Sequence, residues 1–324
     1  MMEGATPAPL GDVVIIGAGV SGLACARTML KWGCRSLVVL EHGADLGGIW
    51  RTTTYADLAL HLKSFSYSFY DFPLQCSAER ASREDIQAYL ERYASTFDLK
   101  RHIKFHHEVQ QVVYHGEGHA SKPCCEVLAR GPDGEHLRLP ADFVVCAVGF
   151  SNAGRPASPA LAGLEDFGGP VVHSSCFGEQ LMDQVVAERK RVVVLGAGKS
   201  ALDILAAFKR RGHDSMSWLF SKSMWFFAWD HMYGSSTLTW ILRTVLLGIW
   251  LQVRIGLGEC WLERGLQSLV RAAGVLVNAA EPSCREGLER CRFAVARREE
   301  LEAVSTVPRV RGRAERLVRG GVEL

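Results

Sequence analysis

An α/β fold with two dinucleotide-binding βαβ domains follows from three observations. Two short apolar runs, Val13 to Ile16 and Val192 to Leu195, each lead directly into a glycine-rich turn. Each turn opens a stretch of helical period, and a second apolar run follows each stretch. The two patterns lie about 180 residues apart in a chain of 324 residues, which is long enough for two domains. Short apolar runs suit strands buried on both faces, as in parallel sheets.

The first pattern is DVVIIGAGVSGLACARTMLKWGCRSLVVLEHGADLGGIW. Gly17, Gly19 and Gly22 form G-x-G-x-x-G after the first strand. Gly17 permits the tight turn, Gly19 lets the backbone approach a pyrophosphate, and Gly22 lets helix and strand pack closely. The helix N-terminus then offers free N–H groups to the anion. The helix stops at Gly33, and a second strand, Ser36 to Leu40, ends in Glu41. A carboxylate there accepts hydrogen bonds from ribose hydroxyls and repels a 2′-phosphate, so FAD or NAD is expected over NADP. In GGIWR, Gly48 can pass close to a bulky ligand and Trp50 can wall it, or serve only as a core aromatic.

The second pattern is RVVVLGAGKSALDILAAFKRRGHDSMSWLFSKSMW. Gly196, Gly198 and Ala201 form G-x-G-x-x-A, and the helix stops at Gly212. The following strand, Met216 to Phe220, ends in Ser221 and Lys222 rather than an acid. Hydroxyl and ammonium groups suit a 2′-phosphate, which points to NADP. Lys199 and Ser200 add a cation and a donor near the pyrophosphate, unless the lysines are simply solvated. Two sites of opposite charge preference suggest a flavin reduced by a nicotinamide.

With these pieces in order, the chain resembles the flavin-containing monooxygenases, and most of all their plant and fungal branch. The matching pieces are GAGVSG, GGIWR, FYDFP, SREDIQAYLERYASTFDL, VVCAVGFSN, FGGPVVHSSCF and VVVLGAGKSALDI, over about residues 12 to 270. The resemblance implies FAD and NADPH as cofactors and O₂ as co-substrate. It implies a flavin C4a-hydroperoxide that oxygenates soft nitrogen or sulfur centres of an apolar amine or sulfide, in the manner of N,N-dimethylaniline monooxygenases. Baeyer–Villiger and indole-pyruvate (auxin-type) oxygenation stay open, as does a non-catalytic or uncoupled nucleotide-binding remnant. FGGPVVHSSCF resembles the family's identifying motif, with Phe177 at its last aromatic position. His173 is expected to organise the loop on the NADP side, Gly169 to give the turn and Phe177 to pack. His61 falls where the family places an Asn or Gln near the flavin. Both histidines are thus candidate catalytic residues.

The expected domains are an FAD domain over 1–160, an NADP domain over 161–275 with an apolar helical insert near 225–260, and a divergent tail over 276–324. From Arg285 to Leu324 there are ten Arg and no Lys, seven Glu and no Asp, and one aromatic. That shift reads as a solvated helix and a poorly ordered basic tail, with the C-terminal end truncated or divergent relative to the family.

A net charge of +2 argues against a nucleic-acid partner. Ten scattered Cys without a C-x-x-C pair suit reduced thiols, exclude a simple dithiol reductase and point to the cytoplasm. The histidines show no metal-ligand spacing, and the N-terminus shows no signal-peptide pattern. Leu238 to Leu257 approaches the length of a membrane span but carries Arg243 and Arg254. Buried or substrate-covering helices are expected there, with membrane-surface contact as the lesser reading. Oligomeric state is left open.

Overall fold

The computed structural model describes residues 12–116, 123–149, 161–234, 241, 244–249, 251–252, 269–270, 276–278 and 291–324. Two units emerge: Met1–Thr54 with Lys63–Ala157, and Tyr55–Leu62 with Ser158–Leu324.

Unit 1 is built on β1 (Val13–Ile16), α1 (Val20–Lys31) and β2 (Leu37–Leu40), the βαβ expected from the apolar runs. A short helix α2 (Ile49–Thr52) follows, then α3 (Arg83–Thr96) and β3 (Ile103–Lys104). The antiparallel strands β4 (Glu108–Tyr114), β5 (Cys125–Arg130) and β6 (His136–Ala141) precede β7 (Phe143–Cys146). The parallel sheet has the order β3-β2-β1-β7. Alternate residues of β5, Cys125, Val127 and Ala129, pack with Val14 and Leu40, so the antiparallel sheet covers part of the parallel one. Their period of two is what a half-buried strand requires.

The FYDFP stretch proves to be a docking segment for α3. Phe69 stacks on Tyr93 with ring centroids 3.9 Å apart, and Phe72 meets Tyr93 edge-on at 5.5 Å. Tyr89 donates its hydroxyl to Phe72 O and accepts Phe69 N–H, both at 2.6 Å. Burial, reinforced by Asp71, pushes the Tyr93 phenol up to about 12. Ser82 and Asp85 form a reciprocal capping box that starts the helix.

The first glycine turn is tightly roofed. Gly17 has φ +102°, and a Cβ there would lie 2.6 Å from the carbonyl oxygen of Ala147, just past β7. A Cβ on Gly22 would lie 1.9 Å from Gly17 O, so helix and strand touch backbone to backbone.

Unit 2 contains α4 (Leu164–Phe167), α5 (Glu179–Ala187), β8 (Val192–Leu195), α6 (Lys199–Arg210), β9 (Met216–Phe220) and β10 (Trp225–Ala228). It continues with β11 (Leu276–Asn278), β12 (Cys291–Ala296), α7 (Arg298–Val304), β13 (Arg309–Arg311), β14 (Arg316–Val318) and β15 (Gly321–Glu323). β13, β9 and β8 form a parallel sheet in that order, and β11, β10 and β12 a second sheet. The core gathers Leu202, Leu205 and Phe208 of α6 against Trp218 and Phe220 of β9, with Val304 and Val307. Residues 55–62 are pinned to this unit. Tyr55 donates to Asp203 at 3.1 Å, Ala56 N–H to Phe177 O at 3.2 Å, and Arg210 to Asp57 at 2.7 Å. Burial raises the Asp57 pKa, but Arg211 and Arg210 outweigh it and hold the carboxyl below its usual range.

The C-terminal stretch corrects the expectation of a poorly ordered tail. Over residues 291–324 the chain forms β12, α7, β13 and the β14–β15 hairpin, and it buries Val295, Val304, Val307 and Leu317. Composition does not show this because single apolar residues are set among many arginines, and Val304 and Val307 land on a core that earlier residues build. Of the apolar run 238–257, only residues 241, 244–249 and 251–252 are described, and they are helical. Among the described residues no helix is long and apolar enough to cross a membrane.

Beneath the first turn of α6, the Lys199 ammonium meets Asp203 and, at 3.1 Å, Glu300 of α7. The Lys199 and Asp203 side chains are each 12% exposed and that of Glu300 7%, so this is a buried cluster. Replacing Lys199 by Met leaves two buried carboxylates facing each other, with an expected stability loss of about 3–5 kcal/mol. Urea unfolding should show it, and Asp203→Asn added to Lys199→Met should recover part of the loss; no recovery would remove the charge argument. The glycine turns give a second expectation. Gly196 has φ +103° but no atom within 4 Å of a Cβ built on it. Gly196→Ala should therefore cost only about 1–2 kcal/mol of backbone strain. Gly17→Ala adds a backbone clash worth about 1–3 kcal/mol more. Equal urea midpoints for the two variants would contradict this.

Candidate nucleotide sites

In unit 1 the candidate site sits at the carboxyl end of β1. α1 starts at Val20 from Gly19 with no side-chain cap and no acid in its first turn. Its first N–H groups are thus left for an outside acceptor. Gly48 faces this turn, and a Cβ on it would stand 3.1 Å from the Cα of Gly19. Gly48 also has φ +57°, so a side chain is disfavoured there on two counts. A Cβ on Gly19 would meet only the Gly48 backbone, its Cα at 3.6 Å and its N at 3.9 Å. Two bare glycine backbones thus line one place, as a pyrophosphate requires.

Glu41 stands at the end of β2, 6% exposed. Its Oε2 accepts Ala18 N–H at 2.8 Å and its Oε1 accepts Gly43 N–H at 2.7 Å. The carboxylate ties the glycine turn to β2. Oε1 also faces His42 Nδ1 at 2.9 Å, so Oε2 is the oxygen with a further lone pair for a hydroxyl. Gly17, Gly19, Gly22, Glu41 and Gly48 are brought together around one turn, and this set fits the adenosine and pyrophosphate part of a flavin dinucleotide.

Trp50 requires a correction. It was expected to offer a ligand wall, but it is 8% exposed and donates Nε1–H to Tyr67 Oη at 2.7 Å. Burial raises the Tyr67 pKa, against the lowering effect of that bond. Trp50 anchors the start of α2 in the unit 1 core. Reading the sequence missed Gln87, whose Oε1 is buried and would meet a Cβ on Gly47 at 2.2 Å. Gln87 holds the loop by donating to Leu46 O at 3.0 Å. Its place in SREDIQAYL carries no local sign of that contact.

In unit 2 the second turn repeats the geometry. Gly196 takes positive φ, its N–H reaches Leu219 O at 2.8 Å, and its carbonyl accepts Trp218 Nε1–H at 2.7 Å. α6 starts after Gly198, again with no side-chain cap and no acid in its first turn. A Cβ on Gly198 would meet nothing within 4 Å. Ser200 is half-buried in that first turn, and Lys222 is exposed just beyond β9. Lys199 is the second correction. It was expected beside a pyrophosphate, but its ammonium is committed to Asp203 and Glu300. The pull of two buried carboxylates explains this, and Glu300 lies 101 residues away, where nothing local announces it.

His61 lies in the 55–62 segment of unit 2 and is half-buried. His173 precedes a short 3₁₀ turn, Ser174–Cys176, and its Nδ1 accepts Ser175 N–H at 3.1 Å. The same Nδ1 lies 2.8 Å from Ser175 Oγ. Its described bonds are local. The turn glycine of this motif is Gly168, with φ +73°, rather than Gly169 as expected. Phe177 packs on Phe208 with centroids 5.7 Å apart. Among the described residues no group of His, Cys, Asp and Glu could hold a metal ion.

Comparison with known proteins agrees with this geometry. Residues 11–247 match the family described as flavin-binding monooxygenase-like. A probable flavin-containing monooxygenase 1 of Arabidopsis thaliana is 34% identical over 59% of this chain and 40% of its own length. A Baeyer-Villiger monooxygenase of Streptomyces coelicolor is 32% identical over 61% of this chain and 35% of its own. The solved flavin-containing monooxygenase of Stenotrophomonas maltophilia superposes with a TM-score of 0.52 at 26% identity, over 66% of this chain and 59% of that one. A steroid monooxygenase solved with NADP gives 0.52 at 27% identity, over 67% and 39%. The chain thus spans about two fifths or less of the length of these curated relatives. Two Rossmann-like α/β units, each with a bare glycine turn, and a match over most of the sequence lead to one conclusion: the chain belongs to the flavin-binding monooxygenase-like family.

Proposed function

We propose that unit 1 holds FAD, that unit 2 holds NADPH, and that the pair serves a monooxygenase acting on soft nitrogen or sulfur centres of apolar small molecules. One observation carries the reading. Two uncapped helix starts follow bare glycine turns, but only the first is paired with an acid at the next strand end, Glu41 against Ser221 and Lys222. The carboxylate favours free ribose hydroxyls and the hydroxyl–ammonium pair favours a phosphate. The flavin-containing and NADP-bound monooxygenases among the structural relatives support it.

When bound, the reduced flavin supplies the activation of O₂ and the delivery of one oxygen atom. The residues of this chain bind and orient. The N–H groups at the start of α1 receive one pyrophosphate, and those at the start of α6 the other. Glu41 fixes the ribose of the first nucleotide, and Gly48 keeps the approach bare. Ser200 offers a donor at the second pyrophosphate and Lys222 a cation. His173 shapes the loop before α5 through Ser175. His61 is carried on the unit 2 segment pinned by Tyr55 and Asp57.

A Baeyer–Villiger outcome, which turns a ketone into an ester, is the second reading, favoured by the Streptomyces coelicolor relative. Product analysis with a tertiary amine, a sulfide and a ketone separates the two. The decisive measurement is flavin content and NADPH oxidation, with hydrogen peroxide followed alongside. Protein that stays colourless after incubation with FAD would refute the flavin reading, and peroxide equal to NADPH consumed would refute oxygen transfer by this chain. The glycines localise the cofactors. Gly19→Ala should fold and lose most of its flavin, because a Cβ there meets protein only at van der Waals distance but intrudes on the ligand. Gly198→Ala should keep its flavin and lose NADPH binding. Reversed effects would exchange the two sites.

A further inference from the structure

No arginine follows β9 in sequence, where Ser221 and Lys222 come directly after Phe220. A neighbouring strand supplies two. β13 runs parallel to β9, with Arg309 opposite Trp218, Val310 opposite Leu219 and Arg311 opposite Phe220. The pairing closes with Gly312 N–H donating to Phe220 O at 2.9 Å. Parallel strands finish at the same edge of a sheet, and neighbours lie ~4.8 Å apart. Arg311 and Arg313 therefore flank Gly312 beside the residues that lead to Ser221 and Lys222. Arg311, Arg313 and Lys222 are all exposed. Arg309 donates to Ser305 O at 3.2 Å and Val304 O at 3.1 Å at the end of α7. On the other side of β9 lies β8, whose turn carries Gly196 and Gly198. One sheet edge thus carries, in order, the glycine turn, a hydroxyl with an ammonium, and two guanidinium groups.

We propose that Arg311 and Arg313, with Lys222, form the 2′-phosphate subsite of unit 2 and set its preference for NADPH over NADH. This rests on the reading of unit 2 as the nicotinamide dinucleotide site. A phosphate monoester carries close to two negative charges, and a guanidinium fork matches two of its oxygens where an ammonium offers only a point charge. The segment that reads in sequence as a basic tail is then the part that distinguishes the two nicotinamide cofactors.

The test uses adenosine 2′,5′-bisphosphate and 5′-AMP, which differ by the one phosphate in question. Calorimetric titration of the whole chain is compared with Arg311→Gln, Arg313→Gln and the double variant. Arg319→Gln, on the β14–β15 hairpin, serves as the charge control. The expected result is a loss of about tenfold in bisphosphate affinity for each single variant, with 5′-AMP affinity held within about twofold. Arg313→Lys should recover part of the loss, and Arg319→Gln should change neither ligand. An unchanged ratio of the two affinities in the double variant would overturn the proposal. So would parallel loss of both ligands, which assigns the arginines to the fold. A wild-type chain that binds neither ligand fails at an earlier step: it overturns the nucleotide reading of unit 2, and the subsite falls with it.

Discussion

A helix that starts without a capping side chain must find acceptors for its first N–H groups elsewhere, and both α1 and α6 start this way. Everything around the two turns preserves that condition. In unit 1 the glycines at 17, 19, 22 and 48 keep side chains out of the space before the helix, and Ala147 closes the turn from behind. In unit 2 the same turn is open, and only Ala201 fills the position that Gly22 holds in the first. The two units thus use one device under different steric load. Unit 1 cannot accept a methyl group at Gly17 or Gly22 without moving backbone, whereas unit 2 tolerates volume and resists only conformational change.

The second constraint is the buried charge cluster beneath α6. One ammonium and two carboxylates, joined by the Tyr55 hydroxyl and the backbone N–H of Arg297, lie under the first turn of the helix. Such a group is costly to bury unless all its members are satisfied. Satisfying it fixes three separate stretches of chain around the start of α6: the 55–62 segment, α6 itself and α7. The second turn is therefore held in register from below rather than roofed from above.

Much of this was legible in the sequence. β1, β8 and β9 fall where the apolar runs place them, and both helices stop just before the glycines that take positive φ, Gly33 and Gly212. Local chemistry decides such features, so local pattern reveals them. The sequence places Trp50 and Lys199 beside their turns but does not reveal their partners. Their side chains are claimed by Tyr67, Asp203 and Glu300, and no spacing rule reports contacts at such separations. The order of the C-terminal segment is hidden from local pattern for a related reason. Val304 and Val307 are single apolar residues among charges, and their burial depends on a core assembled by α6 and β9. A window of composition sees the charges and not the core.

β13 also bears on how the protein is made. It joins β9 across about 90 residues, and Glu300 reaches Lys199 across 101. During synthesis the β8–α6–β9 unit leaves the ribosome long before either partner exists. Until then β9 has an unpaired edge, and the carboxylate that completes the Lys199 cluster is missing. Contacts of such long sequence separation form late and slowly. The second nucleotide domain can therefore reach its final form only when α7 and β13 have emerged, whereas β1, α1, β2 and β7 are complete by Cys146.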